Sequence, residues 1–228
     1  MKKKFLILVL VLLMSATFAV GLTACNSDSA YDTGKQNKMD NYNLLNETAK
    51  SGQAVMIGDS IVEIFPIELF SNVKLEVYNR GIGGDTSDRL LERLDKNALA
   101  IAPKVLSVLV GTNDLNYKIS GSTVGNIKQI VEKAKLAGVP NVIVQSIYPV
   151  NKSVNKKMVG KRKNADIMLT NTQIKNVCDE LNVTYLNVYD SLLDGSGNLD
   201  ASLTYDGLHL NVAGFKIVAN LLKPYFDI

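Results

Sequence analysis

Ser60, in "GDS" (58–60), and His209, in "YDGLHLN" (205–211), are the residue types from which a nucleophile and its base are built. His209 is the single histidine of the 228-residue chain, so any imidazole chemistry must pass through it. A serine hydroxyl with its ordinary high pKa needs such a base before it can attack a carbonyl. The imidazole in turn needs an acid that fixes its tautomer and stabilises the imidazolium, and Asp206 stands three residues upstream. Ser60, His209 and Asp206 together spell acyl transfer. The tetrahedral intermediate of that reaction needs donors for its oxyanion. "GIGGD" (81–85) suits this, because glycine lets backbone N–H groups approach a ligand closely. Asn113, in "GTND" (111–114), adds a side-chain amide donor. Ser60 N–H, Gly84 N–H and Asn113 make a set of three.

Other chemistries fit these segments less well. "GIGGDTS" could be a phosphate cradle, but it lacks the lysine of G-x-x-x-x-G-K-[ST] and does not match G-x-G-x-x-G. Asp59, Asp85, Asp114 and Asp206 could surround a cation. Each has a structural or orienting use instead, so neither a metal nor a cofactor is expected. Asp59, Asp85 and Asp114 are expected to brace their loops, since buried carboxylates need partners, with Asn79 and Arg80 supporting the glycine loop. The elbow G-x-S-x-G occurs nowhere in the chain.

The elements that must position these residues alternate along the chain. "AVMIG" (54–58), "KLEVYN" (74–79), "KVLSVLVG" (104–111), "NVIVQSI" (141–147) and "VTYLNV" (183–188) are short apolar runs, as strands covered on both faces should be. Amphipathic helical patterns lie between and after them, over 86–98, 122–138, 165–181 and 211–226. Five strands alternating with helices predict a parallel sheet in an α/β fold. Ligand crevices in such sheets lie beyond the carboxyl ends of the strands. "GDS", "NRGIGGDTS" and "GTND" each follow a strand directly, and "YDGLHLN" follows the last one after an excursion. All four are therefore expected at one edge.

The chain begins with "MKKK", the apolar run "FLILVLVLLM" and then "LTAC" ending at Cys25, the layout of a secretory signal. The ending resembles a bacterial lipobox. Residues 1–24 are read as a lipoprotein signal peptide, 25–38 as a lipidated Cys25 with a flexible polar tether, and 39–228 as one domain. A weak uncleaved span over 5–24 is the competing reading. Either way the domain lies outside the cytoplasmic membrane, held to it at the N-terminus. The formal charge of +3 resides in Lys2, Lys3 and Lys4; without them 22 basic residues face 22 acidic ones. Such neutrality gives no basic footprint for nucleic acid. With Cys25 lipidated, Cys178 has no disulfide partner, and its apolar helical spacing predicts a core thiol.

"GDS", "NRGIGGD", "GTND" and "DGLHLN", in that order over residues 54–222, resemble the four blocks of the SGNH (GDSL-type) hydrolases. The branch that includes platelet-activating-factor acetylhydrolase subunits looks most similar. The resemblance implies a three-layer α/β/α, flavodoxin-like fold with a five-stranded parallel sheet, and a metal-free serine esterase. It implies Ser60 as nucleophile, Ser60 N–H, Gly84 and Asn113 as the oxyanion hole, and His209 as base oriented by Asp206. "GDSI" in place of "GDSL" is a conservative change. The expected substrate is a short acyl ester, acetyl foremost, of a carbohydrate or small lipid. A lysophospholipase or thioesterase on the same residues is one alternative, and a non-enzymatic surface-binding lipoprotein is another. After the fourth strand, "YPVNKSVNKKMVGKRKN" carries Lys152, Lys156, Lys157, Lys161, Arg162 and Lys163 with no acid. It reads either as a solvated mobile loop or as a patch attracting anionic headgroups or glycan. Tyr117, Tyr148 and Tyr205 are candidates to line a pocket.

Overall fold

A computed structural model describes residues 27–117 and 122–228, with side chains described from residue 33 onward. The expected signal peptide and Cys25 lie outside the described residues. No helix among the described residues is long and apolar enough to cross a membrane.

Five strands, β1 (Ala54–Gly58), β2 (Val77–Gly81), β3 (Val105–Leu109), β4 (Asn141–Gln145) and β5 (Thr184–Leu186), form one parallel sheet in the order β2-β1-β3-β4-β5. The central β1 and β3 are buried at every position, which explains why their sequences are continuous apolar runs. Alternate residues feed two cores. Val55, Ile57, Leu106 and Val108 pack with Leu90, Leu94, Ile127, Ile130, Ile167, Ile174 and Cys178. These belong to α3 (Ser87–Asn97), α5 (Thr123–Leu136) and α7 (Asn164–Leu181). Ala54, Met56, Val105 and Leu109 pack with Phe215, Val218, Leu222 and Phe226 of α8 (Val212–Phe226) and with Ile61 and Val62 of the short α2 (Ser60–Glu63). The result is the expected α/β/α sandwich. Two short helices, α4 (Thr112–Tyr117) and α6 (Lys156–Val159), sit in loops beyond strand ends.

The tether reading differs from what is observed. Helix α1 (Ser27–Asn46) runs through residues 27–38 and on past the expected domain boundary. Polar contacts rather than an apolar stripe dock it. Lys35 is buried against Asp85, Tyr42 Oη donates to Gly81 O at 2.6 Å, and Asn46 Nδ2 donates to Lys96 O at 2.9 Å. Asn97 Nδ2 answers with a bond to Met39 O at 3.1 Å.

Candidate active site

All strands point the same way, so their carboxyl ends share one edge. Ser60 stands there as the first residue of α2, directly after β1. Asp59 caps that helix, its Oδ1 accepting from Ile61 N–H at 2.9 Å. Phe65, just past α2, meets the Phe215 ring edge-on at 4.9 Å. That contact ties the serine's element to α8, whose cap Asn211 follows His209 by two residues and accepts from Ala213 N–H and Gly214 N–H. Ser60 Oγ lies 2.9 Å from His209 Nε2, and His209 Nδ1 lies 2.8 Å from Asp206 Oδ2. A carboxylate only accepts, so Nδ1 carries the proton and Nε2 keeps its lone pair for the serine hydroxyl. Burial alone would raise the Asp206 carboxyl. Its bond to the His209 ring and its bonds from the backbone N–H groups of His209 and Leu208 outweigh this and hold it below the ordinary value.

Opposite these residues lies the glycine loop after β2. Gly81 has no room for a side chain, since a Cβ there would meet Glu63 N at 2.1 Å. Asn79 braces the turn from both ends, donating to Val62 O at 2.6 Å and accepting from Gly81 N–H at 2.9 Å. Glu63, paired with Lys38, accepts from Gly83 N–H at 2.5 Å. Gly84 follows with a positive φ of 72°, a conformation that favours glycine. Asp85 then anchors the loop between Lys35 Nζ at 3.2 Å and Arg93 Nε at 2.6 Å. The same Arg93 donates to Arg80 O and Gly58 O, joining the ends of β1 and β2. Arg80 itself turns away from the loop, donating to Asn46 Oδ1 at 2.7 Å and lying over the Tyr42 and Tyr78 rings.

Asn113 completes the donor side. Its Nδ2 donates to Asp85 O at 2.9 Å, which leaves the second hydrogen of the NH2 group for another acceptor. Its Oδ1 accepts from Arg162 Nη2 at 2.9 Å. Arg162 is only 4% exposed and also grips Thr112 O at 2.8 Å and Thr112 Oγ1 at 3.0 Å. Guanidinium nitrogens only donate, so the amide of Asn113 can present its oxygen only on that side and its NH2 on the other. Burial pushes the Arg162 guanidinium below its usual value, and Asp59, Tyr117 and Asp206 oppose this. No carboxylate among the described residues lies within ion-pair distance of it.

The structure thus brings Ser60, Gly84, Asn113, Asp206 and His209 to one edge of the sheet. Asp114 caps α3 by accepting from Ser87 N–H at 3.1 Å and Ser87 Oγ at 2.5 Å, and it also accepts from Thr123 at 3.1 Å. Asp59 is fully buried. Its Oδ2 has no partner among the described residues, and desolvation, with Asp85 and Asp114 nearby, pushes the carboxyl up to about 7 against the pull of Ile61 N–H and Arg162. Cys178 is a core thiol whose pKa burial raises to about 12. Tyr117 and Tyr205 stand exposed, but Tyr148 is not available to line a pocket: it is 2% exposed and bonded to Gln145 Oε1. The basic run also departs from a mobile loop. Asn155 caps α6, Val159 is buried, and Arg162 serves the site rather than solvent.

The supporting roles of Lys35, Glu63, Arg93 and Arg162 were not anticipated from the sequence. Arg93 did leave a signal, because it shares a helical face with Leu90, Leu94 and Asn97, all buried. Arg162 left none among its lysines.

A sequence model of the GDSL-like Lipase/Acylhydrolase family matches residues 56–217. The human platelet-activating factor acetylhydrolase IB subunit alpha2 is 30% identical over 187 residues, covering 78% of this chain and 76% of that subunit. A solved structure from Streptococcus pneumonia, named for platelet activating factor, is 28% identical. It superposes with a TM-score of 0.81 over 87% of this chain and 95% of that one. An acetylxylan esterase from Geobacillus stearothermophilus shares the fold at 19% identity, with a TM-score of 0.60 over 76% of this chain and 94% of its own.

Proposed function

This chain belongs to the GDSL-like lipase/acylhydrolase family and is a carboxylic ester hydrolase; from that premise we propose that it removes short acyl groups, acetyl foremost, from a carbohydrate or small lipid through an acyl-enzyme on Ser60. The observation that carries this reading is the unbroken chain from Ser60 Oγ through the His209 ring to Asp206, with steps of 2.9 and 2.8 Å.

His209 Nε2 takes the hydroxyl proton as Ser60 Oγ attacks the ester carbonyl, and Asp206 stabilises the imidazolium that forms. Ser60 N–H, Gly84 N–H and Asn113 Nδ2 face the developing oxyanion. His209 then returns the proton to the leaving alcohol, giving the acyl-enzyme. Water, deprotonated by the same nitrogen, attacks the acyl carbon, and the carboxylic acid leaves as Ser60 recovers its proton. The preference for a small acyl group draws support from relatives named for acetyl removal, the acetylhydrolase subunit in sequence and the acetylxylan esterase in fold. The "LTAC" ending at Cys25 supports a lipid-anchored, extracytoplasmic placement.

The protein is expected to hydrolyse p-nitrophenyl acetate, and Ser60→Ala and His209→Ala should each lower kcat by at least about 10³-fold. Activity that survives both changes would refute the mechanism. An inactive wild type would favour a binding protein on this scaffold. Rates on p-nitrophenyl esters of rising chain length separate the acetyl preference from a lysophospholipase-like one.

A further inference from the structure

The direction of α1 fixes which side of the molecule its N-terminus serves. Lys35 meets Asp85 in the glycine loop, Lys38 meets Glu63, Tyr42 meets the carbonyl of Gly81, and Asn46 meets Arg80. Farther along, Lys50 N–H reaches Tyr78 Oη. Read from Lys35 to Lys50, these partners descend β2 from its carboxyl end towards its start, so α1 runs antiparallel to the strand. Its N-terminus therefore lies at the edge that carries Ser60. Eight residues of helix separate Ser27 from Lys35, a rise of about 12 Å at 1.5 Å per residue. Cys25 precedes Ser27 by two residues, which span at most about 7 Å. An acyl anchor on Cys25, the expected lipidation site, would thus enter the chain from the side of the active edge.

The same edge carries the basic run. Lys152, Lys156, Lys157, Lys161 and Lys163 are all exposed, and no acid interrupts residues 151–163. The run packs against site elements on both sides: Lys161 N–H bonds Asn116 Oδ1 on α4, and Asn151 N–H bonds Gly207 O between Asp206 and His209. Exposed Val154, Met158, Tyr117 and Tyr205 stand among and beside these cations. Cationic residues interleaved with apolar and aromatic side chains match the chemistry of an anionic lipid surface, which attracts lysines close to its headgroups.

We propose that the edge bearing Ser60 faces the bilayer in which Cys25 is anchored, with the 151–163 lysines resting on anionic headgroups. The substrate of the proposed function is then an ester presented at that membrane surface. This consequence rests on the ester-hydrolase reading, whereas the orientation does not.

The test reads orientation without catalysis. The full chain, with its lipid, is placed in vesicles of phosphatidylglycerol and phosphatidylcholine that contain a headgroup-linked quencher. A fluorophore is attached at Lys156→Cys in one sample and at Lys74→Cys in another; Lys74 bonds Asp227 O and precedes β2, at the opposite edge. The buried Cys178 stays unlabelled. Quenching at position 156 is expected to exceed that at position 74 by at least about 3-fold, because headgroup contact acts over a few ångströms while the two edges lie a strand length or more apart. Equal quenching, the reverse order, or a chain that does not float with the vesicles overturns the proposal. A protein that passes this test but hydrolyses no ester refutes the ester reading and leaves the orientation standing.

Discussion

At the scale of single residues, the site depends on groups that never touch the reacting bond. Arg162 is the clearest. By donating to Asn113 Oδ1 it forbids the flipped amide, and its charge draws electron density from the amide and strengthens Nδ2–H as a donor. Arg162→Met should therefore lower kcat on p-nitrophenyl acetate by about 10- to 10²-fold with little change in KM, since losing a whole oxyanion donor costs about 10²–10³. In the Asn113→Ala background the same change should cost less than about 3-fold, because the group it positions is already gone. Equal costs in the two backgrounds would reduce Arg162 to a fold-stabilising residue, and Arg162→Lys should recover part of the loss. The residues that carry the chemistry, Ser60, Asn113 and His209, were readable because each follows a recognisable strand or stands alone in its type. Arg162 was not. Its neighbours Lys161 and Lys163 are exposed, and what buries it is the carbonyl of Thr112, 50 positions away. No local periodicity encodes a contact of that range.

At the scale of elements, the strands and long helices were legible because both their faces, or one clean stripe, are apolar. Helix α1 has neither feature. Leu44 and Leu45 are more than half exposed, and the docked face includes Lys35, Lys38, Tyr42 and Asn46. Such a helix reads as polar linker until its partners are known, and those partners are the carbonyls and carboxylates of the glycine loop and α3. Its docking gives a direct check. Lys35→Ala removes one of the two cations that meet the buried Asp85 carboxylate among the described residues. Stability should fall by about 1–3 kcal/mol, seen as a lower urea midpoint at unchanged slope. A midpoint equal to the wild type would restore the tether reading for residues 25–38. The same contact places α1 next to the loop that holds Gly84, so this N-terminal element is also part of the scaffold of the active edge.

At the scale of the whole molecule, gathering four polar strand ends at one edge concentrates carboxylates where little water reaches. Asp59, Asp85 and Asp114 are each at most 2% exposed. Asp85 and Asp114 meet their demand with cations, hydroxyls and N–H groups, but Asp59 has one bonded oxygen and one without a partner among the described residues. Its carboxyl, pushed up to about 7 from an ordinary 3.8, links the site to global stability. Below pH ~4 both the folded and unfolded chains hold the proton. Between ~4 and ~7 the folded chain keeps a proton that the unfolded chain has lost, so this group's contribution to stability falls as pH rises. Above ~7 both forms are ionised, and the contribution levels off at its least favourable value. Asp59→Asn keeps the oxygen that caps Ile61 N–H and removes the titration. The variant should match the wild type near pH 4 and exceed it at pH 8 by on the order of 4 kcal/mol, at about 1.4 kcal/mol per pH unit. Urea unfolding of both proteins across that range measures the difference, in which all other titrating groups cancel. A difference that stays constant from pH 4 to 8 would mean that Asp59 is ionised throughout, with its charge compensated by Arg162 and the Ile61 N–H rather than by a proton.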